Sequence, residues 1–315
     1  MRNMLGLTLV LLLSIHMPAY SAKDDVPDSF KADNIIFTGL TKFKTALLKE
    51  FNTLKGAAQY RSFFKQGDLR IMFWNKDYGK FAQFGSYNNP NIIWINKNAV
   101  MQTLEELRNI AAEEGAYTEK EIFKLAARLW VPNLAHETQH KIHYDYLKNS
   151  VGAILAKTTG VDYPPRVTEN EVNAYAAQCF AMFVMEDEIQ TYTTRGELNN
   201  EILGSCKQGP EKFVTIISEK IGGTGSVNTP HAYEASAALA KKKYIEYINS
   251  ATYGQAMYLT DNPAASREAS DERDPKRTAK YKENAMLFWK TPELIEMTRD
   301  YYDKIFKQLV KTWKK

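Results

Sequence analysis

The chain has 315 residues, of which 44% are apolar, 12% aromatic and 25% charged. That is the balance of a globular protein able to bury a sizeable core, and it excludes disorder, collagen and fibrous coiled coil. Forty-one Lys and Arg against 37 Asp and Glu leave a formal charge of +4, without the clustered basic runs of a nucleic-acid binder.

In chain order, residues 1–22 (MRNMLGLTLVLLLSIHMPAYSA) set a basic Arg2 before an apolar run from Met4 to Ile15, then small residues ahead of Lys23-Asp24-Asp25. This is the pattern of a Sec-type signal peptide, with cleavage fitting after Ser21 or after Ala22. The apolar run is short of the roughly 20 residues a membrane span needs, and later apolar stretches are interrupted by charge. The sequence therefore predicts a secreted or periplasmic protein with no stable membrane insertion after cleavage. Cys179 and Cys206 are the only cysteines, so none stands near the cleavage site to carry a lipid. An oxidising compartment would let them pair; the alternative is that Cys179 acts as a small hydrophobe on a helix face.

From 34 to 64 the apolar positions Ile36, Leu40, Phe43, Leu47, Phe51 and Leu54 recur every three or four residues, a helical period. Beyond Asp68 the pattern changes to LRIMFW, KFAQFGSY and NIIWIN, three short β-rich runs separated by turn residues, which predict a small antiparallel sheet. Helical patterning resumes near Val100. It restarts after Gly115 at Thr118, which with Glu121 makes a capping-box signature. The remainder is mostly helical, interrupted by GGTGSVNTP at 222–230 and by the polar stretch 261–277, a linker or flap candidate. The expected class is α+β, mainly α-helical. The expected division is a signal peptide (1–22), a first domain (23–190) and a helical C-terminal subdomain (191–315).

Three of the five histidines fall within HETQHKIH at 136–143. On a helix, His136 and His140 lie about 40° apart around the axis and one turn apart along it, so both imidazoles can reach one ion. Glu137 flanks the same site, where a metal-activated water needs a carboxylate to accept its proton. Leu129, Trp130, Val131 and Leu134 before the motif, and Ile142 and Leu147 after it, make the helix amphipathic. Pro132 must either start that helix or kink a longer one. A catalytic zinc needs a third protein ligand and an open position. After the break at Tyr163-Pro164-Pro165, the run RVTENEVNAYAAQCFAMF offers Thr168 as N-cap and Glu169 or Glu171 as ligand. Glu171 is preferred, because the small Ala174 one turn on allows close approach to the histidine helix.

With HExxH on one helix and a glutamate on a later one, residues 69 to 185 resemble the zincin metallopeptidases, and among them the gluzincin type. The resemblance implies that His136, His140 and Glu171 bind one zinc ion, that Glu137 is general base, and that the strands before the motif form a zincin sheet whose edge strand aligns a peptide or protein substrate. The metzincin pattern is disfavoured, since His143 and Tyr146 stand where it has Gly and a third His. Tyr175 departs from the Asp or Asn that gluzincins often place four residues after the glutamate.

Stabilising the charge that develops on an attacked carbonyl calls for a proton donor. His231, in Asn-Thr-Pro-His-Ala-Tyr, is the first candidate, ahead of Tyr175, Tyr233 and Arg166. His143 lies two turns from His136, too far to share its ion comfortably; it is either an ordinary packed or solvated histidine or one with a role behind the ligands or toward the substrate. The rival expectations are a non-catalytic exported binding protein that keeps the fold and a structural helical protein with a coincidental motif. Inhibition in cis by 261–277 is compatible with the peptidase reading.

Overall fold

The computed structural model describes residues 34–56, 58, 60, 69–74, 82–86, 89–115, 117–160, 171–185, 193–222, 287, 288 and 290–314. The signal-peptide segment, Arg166, Thr168, Glu169, His231, Tyr233 and the stretch 261–277 lie outside them. Helix α1 (Asn34–Thr53) leads to strands β1 (Arg70–Trp74), β2 (Ala82–Ser86) and β3 (Asn89–Asn96), then to α2 (Lys97–Glu114) and the 29-residue α3 (Glu119–Leu147). A π-helical turn (Lys148–Gly152) joins α3 to α4 (Ala153–Thr159). The later helices are α5 (Glu171–Met185), α6 (Thr194–Lys207), α7 (Pro210–Gly222) and α8 (Pro292–Val310). The class is thus α+β and mainly helical.

The sheet differs from the expected antiparallel arrangement. Its order is β1-β3-β2, with β2 and β3 antiparallel but β1 and β3 parallel in the register Arg70↔Ile92 to Trp74↔Asn96. Strands β1 and β2 do run in opposite directions, yet β3 sits between them. The reason lies in β3 itself: Ile92, Ile93 and Ile95 are all buried, and so continuous an apolar strand belongs in the centre of a sheet, where both edges are paired.

Local signals place the helix ends. Asn96 closes β3 and caps α2, its side chain accepting from the amides of Asn98 at 2.9 Å and Ala99 at 3.4 Å. Gly115 ends α2 in the left-handed region at φ +67°, donating to the Ala111 carbonyl at 2.9 Å. Thr118 and Glu121 form the expected capping box at the start of α3.

Helix α3 is the centre of the molecule, packing against α1, α2, α5, α6 and strands β2 and β3. The predicted apolar stripe of α1 supplies one wall: Leu40, Phe43, Leu47 and Phe51 are fully buried, and the Phe43 ring meets Trp130 of α3 edge-on at 5.9 Å. The same core takes in Ile202 of α6, Phe213 of α7 and Phe306 of α8, so the described parts of 191–315 share it with the first half.

Pro132 neither starts nor ends a helix; α3 runs through it. Its missing N–H removes the usual i→i−4 hydrogen bond to the Arg128 carbonyl and loosens the turn. Within that turn, the carbonyl of Leu129 accepts a 2.7 Å hydrogen bond from the side-chain amide of Asn199 on α6. Helix α6 is held a second time by the Cys179–Cys206 disulfide to α5, with the two Cα atoms 6.1 Å apart.

Both disulfide cysteines are buried and the bond closes a loop of 27 residues. Replacing both with alanine should cost about 3–4 kcal/mol of unfolding free energy, most of it through a less constrained unfolded chain. Urea denaturation of the oxidised parent and the double variant reads this directly; coincident midpoints would show that the bridge contributes nothing.

Candidate metal centre

His136 and His140 project from the middle of α3, and Glu171 opens α5, which crosses it. The two helices pack extensively against each other. Glu171 reaches the imidazoles, with Oε2 at 3.4 Å from His136 Nε2 and Oε1 at 3.4 Å from His140 Nε2. One ligand atom from each of the three residues lies within 4.8 Å of the others.

These distances suit an ion better than a bare ion pair. A charge-assisted N–H to carboxylate bond closes to about 2.7–2.9 Å. Ligands at 2.0–2.2 Å from a tetrahedral centre stand about 3.3–3.6 Å apart, which is the spacing seen between the carboxylate and each histidine. The donor chemistry, two imidazole nitrogens and a carboxylate, agrees. His136 is buried, while His140 and Glu171 are half-buried. Burial opposes ionisation of Glu171, but His140 and His136 outweigh it and hold the carboxyl well below its usual range.

Glu137 follows His136 and is likewise buried. Tyr175, one turn beyond Glu171, packs its ring edge-on against His136 at 4.7 Å. Burial, then the charges of Glu171 and Glu137, push the Tyr175 phenol up to about 12, so it keeps its proton at neutral pH. His143 is buried among Tyr301, Tyr302, Gln139 and Asn173, behind the ligands. Burial, then the neighbouring His140, lowers its pKa far enough to keep it neutral.

Of the residues singled out from sequence, the structure gathers His136, Glu137, His140, Glu171 and Tyr175 at one place; His231, Tyr233, Arg166 and Glu169 fall outside the described residues. Sequence reasoning missed Arg195. This buried residue of α6 lies over the Trp130 ring at 5.4 Å and donates to Asn199 Oδ1 at 3.1 Å. Burial lowers its pKa to about 9 while Tyr175 and Glu137 support its charge, so a guanidinium stands behind the site. Nothing in its local sequence, Thr-Thr-Arg-Gly-Glu, marks it, because its burial is created by a helix more than fifty residues from the motif. Gln139 and Asn173 were missed because their hydrogen-bond partners, Tyr60 and the Tyr302 carbonyl, come from segments distant in the sequence.

No protein-family model matches the chain, and no curated protein or solved structure matches it. Among the described residues no helix is long and apolar enough to cross a membrane.

The protein prepared without chelator should carry close to one divalent metal ion per chain, and His140→Ala and Glu171→Ala should each lose most of it. Elemental analysis of the three proteins checks this. A parent that stays metal-free after ions are added back refutes the centre.

Proposed function

We propose that the chain is an exported zinc metallopeptidase of the gluzincin type. The observation that carries this reading is the convergence of His136, His140 and Glu171 from two crossing helices, with Glu137 next to the first ligand. Two histidines and a carboxylate also suit non-haem iron(II), but a carboxylate flanking the first histidine in HExxH is the arrangement of a hydrolase and favours zinc. Export is supported by the signal-peptide pattern and by the Cys179–Cys206 bridge, which suits an oxidising compartment.

Zinc held there would supply Lewis-acid chemistry, polarising a substrate carbonyl and easing deprotonation of a water. His136 and His140 would hold it through their Nε2 atoms, and Glu171 would add a carboxylate oxygen. Glu137 accepts the proton of the attacking water and passes it to the leaving amine. Tyr175 presents a phenol that stays protonated, a hydrogen-bond donor for the oxygen on which negative charge develops. The Arg195 guanidinium, held over Trp130 by Asn199, keeps a positive charge behind Glu137 and Tyr175.

Glu137→Gln should keep full metal content while cleavage of a casein or mixed-peptide substrate falls by about 10²–10⁴-fold, the usual weight of a general base. Metal content and turnover are measured on the same preparation. Undiminished cleavage in that variant refutes the mechanism, and absence of cleavage by the loaded parent across a broad peptide library points to a metal-bearing binding protein instead.

A further inference from the structure

Behind the ligands lies a buried polar group that the proposed chemistry does not use. Gln139 Nε2 lies 2.9 Å from His143 Nε2, and Gln139 Oε1 accepts from the Tyr60 hydroxyl at 2.9 Å. From the other helix, Asn173 Nδ2 approaches the same His143 Nε2 at 3.5 Å and donates to the Tyr302 carbonyl at 3.0 Å. Gln139, His143, Asn173, Tyr60 and Tyr302 are all buried. Two side-chain amides, one from α3 and one from α5, thus converge on a single ring nitrogen. With the two amides oriented as they stand, that nitrogen is the acceptor they share.

We propose that Gln139, His143 and Asn173 are positioning residues, a clamp that sets the spacing of α3 and α5 and so the strength with which His136, His140 and Glu171 hold their ion. The proposal rests on the metal-site reading above. Its leverage comes from where the three stand. Gln139 immediately precedes His140, His143 is three residues beyond it, and Asn173 is two residues from Glu171 in the first turn of α5, about 3 Å along the axis. The clamp therefore lies within one turn of two ligands on α3–α5 and braces the crossing at the point where the carboxylate enters. Metal–ligand distances are tolerated only within about 0.2 Å, so a small slip between the helices is felt at the ion. Apolar packing alone permits such slips, whereas directional bonds to one buried acceptor resist them. Tyr60 and the Tyr302 backbone anchor the outer ends, tying the clamp to the segment after α1 and to α8.

The test is zinc affinity of the full mature chain, by competition with a chromophoric chelator, together with the visible spectrum of the cobalt(II)-loaded protein. His143→Leu removes the acceptor and Asn173→Ala removes the α5 arm. Each should weaken zinc binding by about 10–100-fold and alter the cobalt spectrum, the size of effect known for groups that orient metal ligands. His143→Gln, whose amide oxygen can take the place of Nε2, should stay within about threefold of the parent. A role confined to stability predicts a lower melting temperature of the metal-free protein with affinity and spectrum unchanged, and that result overturns the proposal. So does His143→Gln binding as weakly as His143→Leu. Should His143→Leu fail to fold, Asn173→Ala decides. A parent that takes up no zinc refutes the metal-site reading and the clamp with it; a loaded parent with unaltered variants refutes the clamp alone.

Discussion

The crossing of α3 and α5 is the constraint on which the rest of the molecule depends. Two helices can bring a carboxylate between two imidazoles only if they pack against each other, and α3 and α5 do so extensively. Hydrogen bonds among buried amides, an imidazole and a backbone carbonyl add direction to that packing. Metal ligation, when present, would join the same two helices once more.

Around that crossing the remaining elements serve as braces. Helix α1 and the sheet cover the far side of α3 with large side chains, Phe43, Phe51 and Phe73 among them, Phe43 meeting Trp130 of α3. Helix α6 is attached by a covalent bridge to α5, by the Asn199 amide on the Leu129 carbonyl of α3, and by Thr194 on Glu106 of α2. The second attachment turns a defect into a contact, since a proline that loosens a helical turn also makes a carbonyl there accessible to an outside donor. Asn199 then orients Arg195, so the irregularity at Pro132 is connected through two side chains to the charge behind Glu137. Helix α8 closes the opposite side, its Tyr302 ring tilted against His143 and its backbone carbonyl accepting from Asn173.

Much of this was legible in the sequence because it depends on local periodicity. The stripe of α1, the cap at Thr118 and the placing of two histidines on one helical face all follow from spacing along a few turns. Glu171 was legible one step further out, through the small residue that follows it. The sheet was legible as three strands but not as an order: alternation and turn residues locate strands, while their neighbours are chosen by which strand has two faces and two edges to bury. Pro132 was ambiguous on sequence grounds, since whether a helix stops or continues there depends on what packs around it and what satisfies the freed carbonyls.

The sequence by itself determined the helices, the three strands, the pair of histidines with their flanking glutamate, and the short list from which a third ligand could be drawn. Those are statements about residues within a turn or two of each other, where backbone geometry leaves little freedom. Only the tertiary structure decided that Glu171 meets both histidines, that Cys179 pairs with Cys206, that β3 separates β1 from β2, and that Gln139, His143, Asn173 and Arg195 are buried at the site. Each of these joins segments far apart in the chain, and their approach is set by how whole helices pack, a property no short stretch of sequence contains.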